Sequence, residues 1–278
     1  MKHTVKESNK AARGTWEKRA VGGHRSQSDK FSQDYFSEIT KYRYCYETPF
    51  IPKVFNFHNL NGKKVLEVGV GHGIDAVSMI DHGATYSGID ITDNHLELAK
   101  RNIDMNIGKK ITKGTFKELI KGEITEIDFS EKYDVIYSFG VLHHIDHEQR
   151  VLEKINNLLQ DDGQLRFSVY ASGSFFSIYM LITWIFINRM KNTLHEWVSH
   201  KAEDSDIDNP VTIKIRSKNQ IIKSLKEANF EVISHHRKGF VQGYIPFLGK
   251  FLHPDGMVLN FFGSFLGWYH CFTCKVKK

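Results

Sequence analysis

The chain has 278 residues, 41% hydrophobic and 25% charged, enough to bury one large core and ordinary for a soluble protein. Three cysteines exclude a disulfide scaffold, and the Cys271–Cys274 C-x-x-C pair has no second pair to complete a zinc site, so no metal is expected. Residues 1–30 carry eight Lys and Arg against three Asp and Glu, most of the net charge of +6, so the excess is local and gives no basic catalytic face.

Residues 1–30, basic and containing Gly and Ser, read as a flexible, solvated arm. Their first ten residues hold charges and no apolar run, which predicts a cytoplasmic protein without a secretory leader. Residues 31–60 read as an ordered segment. Phe31, Tyr35, Phe36, Ile39, Tyr42, Tyr44 and Tyr46 suggest an amphipathic helix, broken by Pro49 and Pro52.

The core spans 61–170. A buried strand over 63–69 runs into the turn Gly69-Val70-Gly71-His72-Gly73 and opens a helix at about 74. Glycines let a ligand approach the backbone, and the helix start offers N–H groups and a positive dipole end. A second strand over 84–90 ends in Asp90, placed to accept hydrogen bonds from ribose hydroxyls. Thr92 or Asp93 caps the next helix. Strands at 115–121, 133–138 and 164–170 follow, with a helix over 147–159. The glycine spacing is G-x-G-x-G rather than the dinucleotide G-x-G-x-x-G. Glu67, two residues before the first glycine, would repel a pyrophosphate and can hold an ammonium through water.

On these residues the chain resembles the class I S-adenosylmethionine-dependent methyltransferases. Glu67, Gly69, Gly71 and Gly73 match the first motif of that family, and Asp90 its ribose acid. Tyr133 to Ile145, including Phe139, resembles the fourth-strand motif, and Leu158 to Leu165 the step after it. The four matches fall in order across residues 63–170. The resemblance implies an α/β fold: a doubly wound Rossmann-like seven-stranded sheet, mostly parallel with an antiparallel last strand, here with an apolar helical insertion. It implies S-adenosylmethionine as cofactor, with adenine between Ile91 and Ile124 and its amino group on Glu123. It also makes 31–60 a lid, from which Tyr42, Arg43 and Tyr44 reach the methionine end or the acceptor.

Residues 171–216 form the insertion. Ser174 to Ile187 is uncharged, apolar on every helical face and too short to span a bilayer. A buried helix or substrate lid is preferred to contact with a membrane surface, although Arg189 and Lys191 follow directly. In 217–278, Ser217 caps a helix, and strands near 231–237 and 268–276 close the sheet.

A sulfonium methyl is already activated, so the enzyme must align a nucleophile and take up one proton. His143 and His144 follow the fourth strand, beside the expected methyl; His143 is the favoured acceptor-facing base, then His144. His72 either shapes the methionine pocket or faces solvent. Ser138-Phe139-Gly140-Val141 lacks the Pro-Pro-aromatic turn of enzymes acting on nucleic-acid bases. That leaves a small-molecule acceptor, one with an apolar part given the insertion, and O-methylation as the default. Two competing readings are an NAD(P)-dependent oxidoreductase and a non-catalytic adaptor that binds cofactor or a membrane partner.

Overall fold

Seven strands pair into one sheet in the computed structural model, which describes residues 5–18 and 20–277. The chain enters through α1 (Val5–Lys18) and α2 (Gln33–Tyr42). The Ser32 hydroxyl starts α2 by accepting the Tyr35 N–H at 3.1 Å. A π turn, Arg43–Glu47, leads to the short α3 (Ile51–Val54). Pro52 lies in the first turn of α3, where a missing N–H leaves no bond unmade, so it begins a helix rather than ending one.

The core then alternates: β1 (Lys64–Val68), α4 (Ile74–Asp81), β2 (Thr85–Asp90), α5 (Asp93–Asn106), β3 (Thr115–Lys121), β4 (Tyr133–Phe139), α6 (Glu148–Leu158) and β5 (Leu159–Tyr170). The insertion supplies α7 (Phe175–Phe186) and α8 (Leu194–Glu203). The chain ends with α9 (Lys218–Glu227), β6 (Phe230–Lys238), α10 (Met257–Leu266) and β7 (Tyr269–Val276). The strand order is β3-β2-β1-β4-β5-β7-β6, with β7 antiparallel to both neighbours and the other pairs parallel. This is the fold expected from the sequence. The order reverses between β1 and β4, which opens a crevice at the carboxyl edge of the sheet.

Alternation along β1 buries both faces. Val65 packs with Met79 and Ile80 of α4, while Leu66 packs with Val151 and Ile155 of α6. Cys271 and Cys274 of β7 fall in these two separate clusters, and burial raises each thiol pKa to about 12. They act as small hydrophobes, as their spacing suggested.

Two expectations need correction. The flexible basic arm is helical over Val5–Lys18, and Ala12 and Trp16, four residues apart on one face, pack on Val211 and Ile91. Asn94 donates to the Trp16 carbonyl at 3.0 Å, tying this helix to α5. The apolar stretch does form α7, but only Met180 and Thr183 are buried; Leu181, Ile182, Ile185 and Phe186 are exposed. Its packing partner α8 covers one stripe only. Among the described residues, no helix is long and apolar enough to cross a membrane.

Candidate active site

A cavity of about 700 Å³ opens at the carboxyl ends of β1, β2 and β4. The glycine turn forms its floor. Gly69 has φ +83°, and a Cβ there would lie 2.2 Å from Val141 Cγ2. Gly73 has φ +68°, with a would-be Cβ 2.8 Å from the Ala99 Cα of α5. Side chains are excluded at both positions, by backbone conformation and by space. Gly73 caps α4 without a side-chain bond, so the free N–H groups of the helix start remain for a ligand.

Asp90 lies at the end of β2, buried, with Oδ1 accepting from the Thr92 N–H at 3.0 Å and the Thr92 hydroxyl at 2.9 Å. Burial alone would raise its pKa; His95 and Thr92 outweigh that and hold it below the usual range. The acid is therefore ionised and fixed. Glu67 takes the Tyr86 hydroxyl at 2.5 Å, and burial, reinforced by Asp75, pushes its pKa well up. Ile91, Ile124 and Glu123 line the same half of the cavity, the Glu123 carboxylate accepting from Thr125 and paired with His147. Phe139 lines it from β4, under the Arg43 guanidinium.

The three residues expected from the 31–60 segment divide. Tyr42 and Arg43 line the cavity, and Tyr42 packs on Tyr46. Arg43 forms a two-pronged ion pair with Asp75 of α4. Tyr44 does not line the cavity: the π turn rotates it toward Asp75, to which its hydroxyl donates at 2.6 Å. His72 is buried, bonded to the Tyr35 hydroxyl at 2.9 Å, and lines the cavity rather than facing solvent.

The histidines also divide, in the reverse of the preferred order. The turn Leu142–His144 puts His144 on the cavity and His143 behind it, fully buried against Tyr170 with ring centroids 3.8 Å apart. Burial, with His144 and Arg216 nearby, drives the His143 pKa far down, so it stays neutral. His144 bonds through Nδ1 to the Thr212 carbonyl at 2.7 Å, and its Nε2 lies 3.6 Å from Glu203. Glu203, the last residue of α8, receives the Tyr170 hydroxyl at 2.6 Å. Burial raises its pKa, against the pull of His144 and Tyr170.

Sequence reasoning missed Glu203, Glu47 and the aromatic wall of Tyr170, Trp268 and Tyr269, in which Tyr170 stacks on Trp268 at 4.2 Å. Trp16 of α1 completes this end, its ring edge-on to His144 at 5.1 Å. The only signal for Trp16 was its spacing from Ala12.

A family model described as a methyltransferase domain matches residues 35–235. Among curated proteins, a ubiquinone biosynthesis O-methyltransferase of Actinobacillus pleuropneumoniae is 34% identical over 112 residues, covering 40% of this chain and 47% of that protein. One from Glaesserella parasuis is 32% identical over 126 residues, 45% and 52%. The match thus spans about half the length of these relatives. Among solved structures, a 1,6-didemethyltoxoflavin-N1-methyltransferase of Burkholderia thailandensis, with its acceptor and S-adenosylhomocysteine (SAH) bound, aligns with TM-score 0.57 and 15% identity over 99% of this chain and 92% of that one. The magnesium protoporphyrin IX methyltransferase of Synechocystis PCC 6803 with bound SAH aligns at 0.60 and 12%, over 97% and 100%.

Proposed function

The chain belongs to the class I S-adenosylmethionine-dependent methyltransferases, and on that premise we propose that it methylates a small, partly apolar molecule at oxygen. The observation that carries this reading is the two-part cavity. One part holds the glycine turn, Asp90 and the Ile91/Ile124 pair; the other is an aromatic wall with one polar corner, His144 and Glu203. Asp90 takes the ribose hydroxyls, and the α4 start with Arg43 takes the methionine carboxylate. An acceptor ring or chain lies against Tyr170, Trp268 and Tyr269, with its oxygen turned into the polar corner. The new O–C bond forms as the S–C bond breaks, and the acceptor's proton leaves through that corner.

The acceptor reaches the site from a lipid phase. Phe247, Phe251 and Met257 are 91%, 77% and 86% exposed, and Phe186 of α7 is 74% exposed. Contacts of Phe175 with Phe240, and of Phe240 with Phe262, join α7 to α10 in one face. The cavity is lined by Phe176 and Tyr244 from these same segments. Arg189 and Lys191 directly after α7, and Lys250 beside Phe251, are exposed, cations suited to an anionic bilayer. The protein should sediment with phosphatidylglycerol vesicles and far less with phosphatidylcholine vesicles. Phe247→Ser/Phe251→Ser should lose this binding, and equal indifference to both vesicles would refute the membrane reading.

Calorimetry with S-adenosylmethionine tests the cofactor. Micromolar binding should fall at least tenfold in Asp90→Ala, since two charge-assisted hydrogen bonds go with the carboxylate. Labelled methyl donor should then mark a compound in a lipid extract. No binding by folded wild type, or label confined to the aqueous fraction, would overturn the reading.

A further inference from the structure

We propose that His143, His144 and Glu203 bind a divalent metal ion of the zinc, manganese or cobalt type at the acceptor end of the cavity. Each of the three is buried, and one ligand atom from each lies within 4.8 Å of the others. Two imidazoles and a carboxylate are a donor set used by catalytic sites that leave a position open for substrate.

The hydrogen bonding around the cluster points to a missing central partner. His143 is fully buried, yet neither ring nitrogen has a hydrogen-bond partner. Buried polar groups are nearly always paired, and an ion in the cluster would satisfy one of these nitrogens. His144 has its Nδ1 on the Thr212 carbonyl, which fixes the tautomer and leaves the Nε2 lone pair facing Glu203. A backbone carbonyl on the distal nitrogen is the usual support for a metal-bound imidazole. Glu203 is steadied in the same way by the Tyr170 hydroxyl. The gap of 3.6 Å between His144 Nε2 and Glu203 Oε1 is long for a hydrogen bond. It suits two ligands at about 2.1 Å from a shared ion.

Charge around the cluster permits a cation. Arg216, the positive group acting on His143, is itself paired with Glu148 at 2.6 Å. The second acid at this end of the cavity is Glu47. His144 and Glu203 face the cavity while His143 closes the back, so the ion's free positions point toward the acceptor. Bound there, the ion would ligate the acceptor's oxygen and favour its deprotonated form, the proton leaving to solvent. It would also clamp α8 to the turn after β4. The role, though not the binding, rests on the methyl-transfer reading of this cavity.

The test uses the metal alone. Chelator-stripped protein is titrated with Co²⁺, followed by visible absorption, and with Zn²⁺, followed by calorimetry. The expected result is one ion per chain, with affinity at least tenfold lower in Glu203→Gln and in His143→Phe, which keeps a ring against Tyr170. Zn²⁺ should raise the thermal midpoint of wild type and leave that of Glu203→Gln unchanged. S-adenosylmethionine binding by each variant serves as the control for folding. The chain has 15 histidines, so surface binding needs its own control. Binding that both variants retain would mark an adventitious ion and overturn the proposal, as would no stoichiometric binding by cofactor-competent wild type. Neither result touches the methyl-transfer reading, because no acceptor is present.

Discussion

Asp75 accepts four hydrogen bonds, and replacing it tests how the turn Arg43–Glu47 is held on the core. It is 3% exposed in the first turn of α4, where the helix dipole favours an anion. Its Oδ1 accepts from Arg43 Nε at 3.0 Å and the Tyr44 hydroxyl at 2.6 Å; its Oδ2 accepts from Arg43 Nη2 and the Tyr137 hydroxyl at 2.8 Å. Burial would raise its pKa, but the guanidinium and these donors hold it below the usual range. Asp75→Asn keeps the shape, removes the charge and turns an amide NH₂ toward a donor. Breaking a buried pair costs about 3–5 kcal/mol because the remaining charge is stranded. Arg43 retains some solvent access at 20%, so the lower end, about 3 kcal/mol, is expected. That is a large part of a total of about 5–15 kcal/mol. Arg43→Met should cost less, since Tyr44 and Tyr137 still serve the carboxylate. Arg43→Met/Asp75→Asn should cost less than the sum of the two single losses, because neither charge is stranded and the amide oxygen still accepts a tyrosine hydroxyl. Urea unfolding followed by tryptophan fluorescence, with linear extrapolation, measures each corner of the cycle. A loss below about 1 kcal/mol for Asp75→Asn, or single losses that simply add, would show that the ion pair does not anchor this turn.

Gly69→Ala should abolish cofactor binding and cost at least about 1–3 kcal/mol of stability, from backbone strain at φ +83° and the clash with Val141; calorimetry and urea unfolding read both, and near-normal binding would contradict the closeness of that approach. His72→Asn tests a pH effect. Burial lowers the His72 pKa to about 3, from about 6.5 in an unfolded chain. Between these values the unfolded state carries the extra proton. The contribution to stability is therefore whole above pH 6.5 and is lost on acidification, at about 1.4 kcal/mol per pH unit. The wild type should lose about 2 kcal/mol relative to His72→Asn between pH 7 and pH 5, and a constant difference would refute the buried neutral ring.

The cofactor half of the site was legible because its signals are local. A strand buried on both faces, three glycines with positive φ and an acid closing the next strand are each written within about ten residues. The acceptor half was not, because its members meet only through tertiary packing. Glu203 reads as the start of a polar linker until α8 brings it to Tyr170 and His144. His143 and His144 are equivalent in sequence; the turn Leu142–His144 rotates them apart by roughly a third of a circle, so only one faces the cavity. The same holds for Tyr42 and Tyr44, split by the π turn. For α7, the continuous apolar run suggested a helix but not its exposure, since an all-apolar helix states no preferred face.

This division has a physical cause that bears on function. The proposed cofactor half is built mostly from backbone geometry, which glycine and strand patterns encode directly. The proposed acceptor half is lined by side chains drawn from α1, the turn after β4, β5, α8 and β7, spread across residues 16–269. None of these is near another in the chain, so any one can change without disturbing the sheet. The insertion illustrates the consequence: in one stretch it contributes Phe176 to the cavity, Glu203 to the polar corner and the exposed face of α7 to the surface. On the proposed reading, acceptor identity, proton handling and access from a lipid phase are coupled through residues 171–216. Replacing this segment with one from a relative acting on a polar acceptor should therefore change the acceptor and vesicle binding together, while S-adenosylmethionine affinity, read by calorimetry, stays within about threefold. If acceptor choice moved and vesicle binding did not, the exposed face and the cavity would be independent features.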